Sequence, residues 1–304
     1  MTPAYDVLVI GGSGVDTIVR VDELAIPASD STSVPPIRDY VAHTGTGVAL
    51  GFHALGLATK FLDFIGEDEH GDLVRARYTA AGLDFSHLPA PAGTPRSVNL
   101  VDRQGRRFSF YDGRHPADLR LPPEFYRPYL ALARHVHVSG PGVAQDLLDD
   151  VRAAGLAVST DVHAWDGEAD WAKTYAYGAD LVFMSAATVG AAGAPALLRR
   201  VLEQGRARIA VATDGADGCW AATRDEPEAR HFPAQTAPGP VVDTNGAGDA
   251  FVTAFVATWL DGRPLDDCVQ AGQTSGAFAC THLGTHERLI TRPELLAATT
   301  PART

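Results

Sequence analysis

A chain of 304 residues, 45% hydrophobic and 20% charged, can bury the core of one large α/β domain or two smaller ones. Its formal net charge of −12 argues against a nucleic-acid partner, whose phosphates need a dense basic face. Cys219, Cys268 and Cys280 are odd in number and form no C-x-x-C pair, which argues against a disulfide framework or zinc site and for a reducing compartment.

The first residues, MTPAYDVLVIGG, carry no basic segment, and their apolar run is too short for a signal or a membrane span. A cytoplasmic protein without a membrane partner is expected. Val7–Ile10 reads as a buried strand, and Thr17–Leu24 as a half-exposed one, with Val19 and Val21 alternating with Arg20 and Asp22. A helical pattern over Gly47–Leu57 leads to a strand at Phe61–Ile65 and a helix at Gly71–Ala81. Ser97–Tyr111 reads as a hairpin turning at D-R-Q-G, with Phe108 and Phe110 on the return. Strands at Val136–Val138, Ala157–Thr160, Leu181–Met184 and Ile209–Thr213 then alternate with helices at Val143–Ala154 and Pro195–Gln204. Val241–Gly262 reads as a strand end, a glycine turn and an apolar helix.

Such alternation predicts an α/β fold, a central mostly parallel sheet flanked by helices. The two one-face-apolar segments do not suit a buried parallel sheet. They predict a small antiparallel sheet outside the core, a lid contributed by about 17–41 and 96–112 and inserted into one domain spanning 1–304. An uncovered apolar face invites association, so the lid is expected to close over substrate and is a candidate surface for a homodimer.

Two glycine loops and the lysine positions bear on phosphate chemistry. GGSGVDT lacks the third glycine of a dinucleotide fingerprint, and a strand follows it where a helix is needed. A Walker A loop needs Gly-Lys, and neither Lys60 nor Lys173 follows a glycine. DTNGAGD survives. Gly246, Ala247 and Gly248 open a helix, where N–H groups lack intrahelical acceptors and the dipole is positive. Asp249 then falls in the first helical turn. It is either an ordinary N-terminal acid or the acceptor of a proton, and the turn alone does not decide between them. Phosphoryl transfer wants both a cradle for the moving group and a carboxylate for the attacking hydroxyl's proton.

DTNGAGDAF, with FIGEDEHGDL, AAGLDFSHL and TDGADG, resembles the landmarks of the ribokinase-like, or PfkB, family of carbohydrate kinases, from about Asp6 to about Thr285. The resemblance implies a central parallel sheet with a β lid and an enzyme that uses ATP and Mg²⁺. Asp249 would be the catalytic base and Gly246, Ala247 and Gly248 the anion hole. Thr213, Gly215 and Gly218 would lie near ATP, with Gln273 at an adenine-side position where Asn is usual. Asp243 and the Asn245 carbonyl fall where members hold a monovalent cation such as K⁺. Asp16 would bind sugar hydroxyls.

Several neighbours depart from that pattern. Gly14 stands where Asn is common, and Ala42, His43 and Gly47 replace a glycine pair and an Asn. The ribose-type hydrogen-bond set is therefore largely missing, and a bulkier wall containing His43 is expected in its place. Arg114 in YDGRHPA resembles a residue of 2-keto-3-deoxygluconate kinases that could take a carboxylate, though a surface arginine reads equally well. Ser185 and Thr188 replace N-x-x-E, which removes a carboxylate that helps to organise Mg²⁺. The expected function is phosphorylation of a primary hydroxyl on a sugar, sugar acid or nucleoside, with substituted sugars or nucleosides ahead of free ribose. A catalytically weak relative that senses a sugar or nucleotide is the alternative.

Overall fold

The computed structural model describes residues 3–25, 29–139, 142, 144 and 147–300. The first strands and helices are β1 (Tyr5–Ile10), β2 (Gly14–Arg20), β3 (Arg38–Ala42), α1 (Thr44–Ala54), β4 (Thr59–Ile65) and α2 (Glu69–Ala81). There follow β5 (Asp84–Pro89), β6 (Arg96–Val101), β7 (Arg107–Asp112), α3 (Pro123–Leu130), β8 (Ala133–Val138), α4 (Leu147–Ala153) and β9 (Ala157–Asp161). Next come α5 (Asp170–Gly178), β10 (Leu181–Ser185), α6 (Gly190–Gln204) and β11 (Ile209–Thr213). The chain closes with β12 (Cys219–Thr223), β13 (Arg230–Phe232), α7 (Ala247–Leu260), α8 (Leu265–Ala279) and α9 (Arg292–Thr299).

Among the described residues the main sheet runs β13-β12-β11-β10-β9-β8-β1-β4-β5. It is parallel from β11 to β5, and β12 and β13 add an antiparallel edge. Strands buried on both faces suit the parallel part: Val7 and Val9 pack into one apolar cluster, Leu8 and Ile10 into the other. The first cluster holds the buried faces of α1, α2, α7 and α8, and the second those of α3 to α6. The chain leaves β1 outward through β4 and β5, then crosses back to β8 and works outward the other way. The strand order therefore reverses between β1 and β8, and a crevice at the carboxyl ends of the strands forms at such a reversal.

Three predicted helices start earlier than the sequence suggests, α2 by two residues, at Glu69. Pro195 reads as a helix start, yet it lies inside α6, which begins at Gly190 and continues through the ring without the bond that an N–H there would give to the Ala191 carbonyl. α1 begins at Thr44 rather than Gly47 because His43, at φ 71°, makes the turn into it. Residues 143, 145 and 146 of the expected Val143–Ala154 helix lie outside the described residues. The expected strand end at Val241 is a loop: Val242 N–H and Asp243 N–H both donate to the Cys280 carbonyl, and no strand pairs with them.

The second sheet has the order β3-β2-β6-β7. It is not wholly antiparallel as expected, because β2 and β6 run parallel while the outer pairs run antiparallel. Its register sorts the side chains into two faces, with Ile18 and Val101 falling among the polar set and Thr17 and Arg96 among the apolar one. Asp16 is paired with Ser97 and Ser97 with Tyr111, so these share one face, with Arg20, Asn99 and Arg107 at the same parity. Val19, Val98, Leu100, Phe108 and Phe110 occupy the other face. The polar face looks toward the crevice, since Arg20 pairs with Asp243 and Arg107 donates to Asn245. The apolar face is turned away from it. Phe108 and Phe110 are instead 53% and 59% exposed, in edge-to-face contact.

Candidate active site

GGSG, the first glycine loop, is a packing device. Gly11 and Gly12 have φ of 78° and 90°, and a Cβ on Gly45 would strike the Gly11 carbonyl. The loop lets β1 turn directly against the start of α1, with Ser13 N–H donating to the buried Asp63 carboxylate at 2.6 Å. That turn delivers Asp16 to the crevice from β2.

Asp16 is 6% exposed, and its Oδ1 lies 3.4 Å from His43 Nε2 without a hydrogen-bond partner. Burial pushes its carboxyl up, but His43, His286 and Ser97 outweigh burial and hold it below the usual carboxylate range. His43 Nε2 also reaches Ser97 Oγ at 3.2 Å, and the ring leans on Tyr111 with centroids 5.6 Å apart. A Cβ at Gly14 would run into the His43 ring, and a Cβ at Gly47 would run into the His286 ring. Thus the sequence suggested only lost amides at positions 14 and 47. The fold instead fills both places with imidazoles.

The glycine turn before α7 sits opposite. Gly246, at φ 76°, occupies the N-cap and leaves room for His286, whose ring would stand 2.7 Å from a Cβ there. The Ala247 N–H is used within the turn, donating to the Thr244 carbonyl at 3.3 Å. The N–H groups of Gly248 and Asp249 belong to the first helical turn, which has no intrahelical acceptors for them. A Cβ on Gly248 would meet nothing, so the fold itself does not require glycine there.

Asp249 is mostly buried, with 15% of its side chain exposed, and Oδ2 lies 3.3 Å from His286 Nε2. Burial raises its carboxyl well above the ordinary range; Asp161 and Asp16 add to the rise, and Arg107 works against it. Asp161, at the end of β9, is likewise raised by burial. The structure brings together Asp16, His43, Gly47, Gly246 and Asp249. Arg114 is turned elsewhere: its guanidinium bonds Asp112, and a Cβ on Gly93 would stand 3.2 Å from its Nη1.

Asp243 and Asn245 are buried and bonded to each other. Asp243 Oδ1 accepts from the Asn245 amide at 2.9 Å, and Oδ2 accepts from Gly284 N–H and faces the Arg20 guanidinium. Arg107 donates to Asn245 Oδ1 at 2.9 Å, so two arginines of the second sheet hold the α7 turn.

On the other side of α7, Thr213 ends β11 and Gly215 has φ 56°. A Cβ on Gly218, at φ 103°, would strike the backbone after β13, so this glycine is demanded by packing. Gln273 donates to the Phe232 carbonyl at 2.9 Å and ties α8 to β13. Beside it opens a cleft of about 470 Å³ lined by Gln235, Thr236, Pro238, Thr274, Phe278 and Ile290, largely apolar. Ser185 Oγ accepts from Ala187 N–H, and Thr188 Oγ1 donates to the Ala164 carbonyl at 2.8 Å, so both hydroxyls have partners within the fold.

His286, Arg20, Arg107, Ser97 and Asp161 were not singled out in the sequence. Arg20 and Arg107 lie on the polar half of strand alternations, a signal that strand parity carries once the pairing is known. His286 sits in a loop, THERL, whose pattern carries no such signal.

The model of the pfkB family of carbohydrate kinases matches residues 6–292. The chain is 46% identical over 297 residues to an acarbose 7(IV)-phosphotransferase of Actinoplanes sp., covering 97% of this chain and 99% of that protein. The solved structure of a microbiome-derived acarbose kinase superposes with a TM-score of 0.89 at 44% identity, covering 97% of this chain and 99% of the other. An Arabidopsis thaliana ribokinase, solved with ribose and ATP, shares the fold at TM-score 0.81 and 18% identity, over 99% of this chain and all of its own. The chain belongs to the pfkB family of carbohydrate kinases.

Proposed function

We propose that this kinase moves the γ-phosphoryl group of ATP to a primary hydroxyl of acarbose or of a similarly substituted sugar, with Asp249 as the base. One observation carries the reading: a mostly buried carboxylate stands at the unfilled N-terminus of α7 and faces the sugar-side carboxylate Asp16 across two imidazoles. The N–H groups at Gly248 and Asp249 would receive the phosphoryl oxygens, and the absent side chain at Gly248 keeps that approach open. The acceptor oxygen attacks the γ-phosphorus, the bond to the bridging oxygen of ADP breaks, and the hydroxyl proton passes to Asp249. A carboxyl raised by burial is a stronger proton acceptor than an exposed one, which suits this step.

The apolar cleft lined by Thr274 and Phe278 of α8 is suited to the adenine ring, and Thr213 and Gly215 would serve the phosphates. Among the described residues no three acidic, imidazole or thiol side chains gather as a metal site, so Mg²⁺ would arrive with the phosphates and keep most of its waters. Asp161 would hold the hydrated ion, which would supply charge neutralisation on the phosphates. K⁺ at Asp243 does not fit, since Arg20 already neutralises that carboxylate and Asn245 and Gly284 donate to it.

The acceptor preference rests on the walls. Asp16 Oδ1 lacks a partner and suits a diol, while His43, His286 and Tyr111 offer ring faces and imidazole edges rather than amides. The 46% identical relative acts on acarbose, which agrees with a substituted sugar. Arg114, engaged by Asp112, gives little support to a sugar acid. The outward apolar face of Val19, Val98, Leu100, Phe108 and Phe110 supports a homodimer through the lid. ADP release measured with ATP and a panel of acarbose, ribose, 2-keto-3-deoxygluconate and adenosine tests the reading. Acarbose should exceed ribose by at least tenfold in kcat/KM, because each unmatched buried hydrogen bond is worth about 1–3 kcal/mol. Ribose as the best acceptor would overturn the pocket reading.

A further inference from the structure

Asp243 is a buried carboxylate whose compensating charge comes from another layer of the fold. It is 2% exposed, in the loop that leads into the α7 turn. Oδ1 accepts from the Asn245 backbone N–H at 3.0 Å and from the Asn245 amide at 2.9 Å. Oδ2 accepts from Gly284 N–H at 3.2 Å and from Arg20 Nη2. These bonds set the turn. Asn245 is folded back on Asp243, Gly246 follows as the N-cap of α7, and the N–H groups of Gly248 and Asp249 open the helix behind it. Of the donors to Asp243, Asn245 and Gly284 are neutral, and Arg20 brings the charge.

Arg20 comes from the second sheet. It ends β2, paired with Val101, and the next residue, Val21, donates its N–H to the Val101 carbonyl at 2.9 Å. Asp16 lies on the same face of the same strand, about 13 Å away at the rise of a strand. One strand thus reaches the sugar end of the crevice with a carboxylate and the phosphate end with a guanidinium. A dissolved alkali cation at Asp243 would need a shell of oxygen ligands, and both carboxylate oxygens are already turned to N–H donors. A guanidinium needs no such shell, is always charged and is delivered by the fold.

We infer that Arg20 is a tethered cation for the α7 turn: its guanidinium takes the place of a monovalent ion at Asp243 and holds the anion-binding turn against the strand that carries Asp16. The kinase is therefore indifferent to K⁺. Arg20 bonds Asp243 and acts through the turn, as a positioning residue. Without it the buried carboxylate keeps its neutral donors and loses the charge that opposes it, a state that a folded protein relieves by moving the group toward water. The turn would shift with Asp243, and the N–H groups at Gly248 and Asp249 with the turn.

The kinetic arm of the test rests on the phosphotransfer reading; the melting arm does not. Wild-type kcat and melting midpoint should be unchanged when K⁺ replaces tetramethylammonium, a cation too large for the site. In tetramethylammonium, Arg20→Ala should lower kcat about tenfold or more with little change in the KM of the sugar, because Asp16 is untouched. Its melting midpoint should fall by about 5 °C or more. K⁺, or guanidinium far below denaturing concentration, should raise both in the variant and neither in the wild type. Activation of the wild type by K⁺, an Arg20→Ala variant equal to wild type, or a deficit that neither cation relieves overturns the inference. If Arg20→Ala does not fold, Arg20→Lys and Arg20→Met make the same comparison: the charged variant should keep kcat and melting near wild type, the neutral one should not, and equal behaviour of the two overturns it. Failure of the phosphotransfer reading is seen separately, as wild-type protein that releases no ADP with any acceptor, and melting in the two buffers then still decides the role of Arg20.

Discussion

Gly14 and Gly47 show how one residue's absence is another's position. Each lacks a Cβ where an imidazole lies, so Gly47→Ala would push the His286 ring off its seat and Gly14→Ala would displace His43. Gly47→Ala should therefore depress kcat through Asp249, whereas Gly14→Ala should chiefly raise the KM of the sugar; steady-state kinetics on the two variants separate these effects. Asp249→Asn should keep the fold and ATP binding and lower kcat by on the order of 10² or more, because the amide cannot take the proton. Near-normal turnover in the folded variant would remove Asp249 from the mechanism. The Asp249 and Asp16 positions were legible in the sequence through the motif and the place after the first glycine loop. Neither histidine's packing was, because two side chains meet there from loops far apart in the chain and no local pattern records the meeting.

The second sheet is anchored to the α7 turn by two arginines, Arg20 and Arg107. Alternation along Thr17–Leu24 and Ser97–Tyr111 was readable, but which face met the crevice was not, since parity alone does not say what lies on either side. Arg20 and Arg107 settle it by reaching Asp243 and Asn245 in the α7 turn. Arg107→Ala should leave Asn245 Oδ1 without its donor and remove the cation that lowers the Asp249 carboxyl. The acid limb of the kcat profile should then move to higher pH, since a carboxyl that loses a nearby cation binds its proton more tightly. A limb that stays in place in Arg107→Ala would mean that the arginine does not act on Asp249. The outward face makes its own prediction: Phe108→Ser with Phe110→Ser should convert a dimer to a monomer in light scattering, and a wild-type monomer at assay concentration would contradict the dimer.

Across the whole molecule, the main sheet both builds the crevice and sets the response to acid. The parallel strands β1, β4, β8, β9, β10 and β11 were visible as short β-branched runs, while the half-exposed parallel edge β5 and the antiparallel edge β12–β13, with mixed and brief apolar patterns, were not. In the core, His135 Nε2 and His137 Nδ1 both bond Ser159 Oγ, at 2.7 and 2.8 Å. Burial drives both imidazoles down to about 3 from an ordinary 6.5. The unfolded chain takes up these protons below its ordinary pKa and the fold does not. Their stability contribution is complete above about pH 6.5 and is lost as pH falls toward 3, at about 1.4 kcal/mol per pH unit for each ring. Thermal unfolding midpoints should fall across that range, and His137→Asn should flatten the slope; a slope equal to wild type would exclude the histidines as its source.

The phosphotransfer itself is tested most directly by ³¹P–¹H correlation NMR of the product formed from ATP and acarbose. The product should carry a phosphorus coupled to the protons of a CH₂ group, formed together with ADP and absent with Asp249→Asn. Inorganic phosphate alone, a phosphorus coupled to a ring CH, or the same product from Asp249→Asn would contradict it.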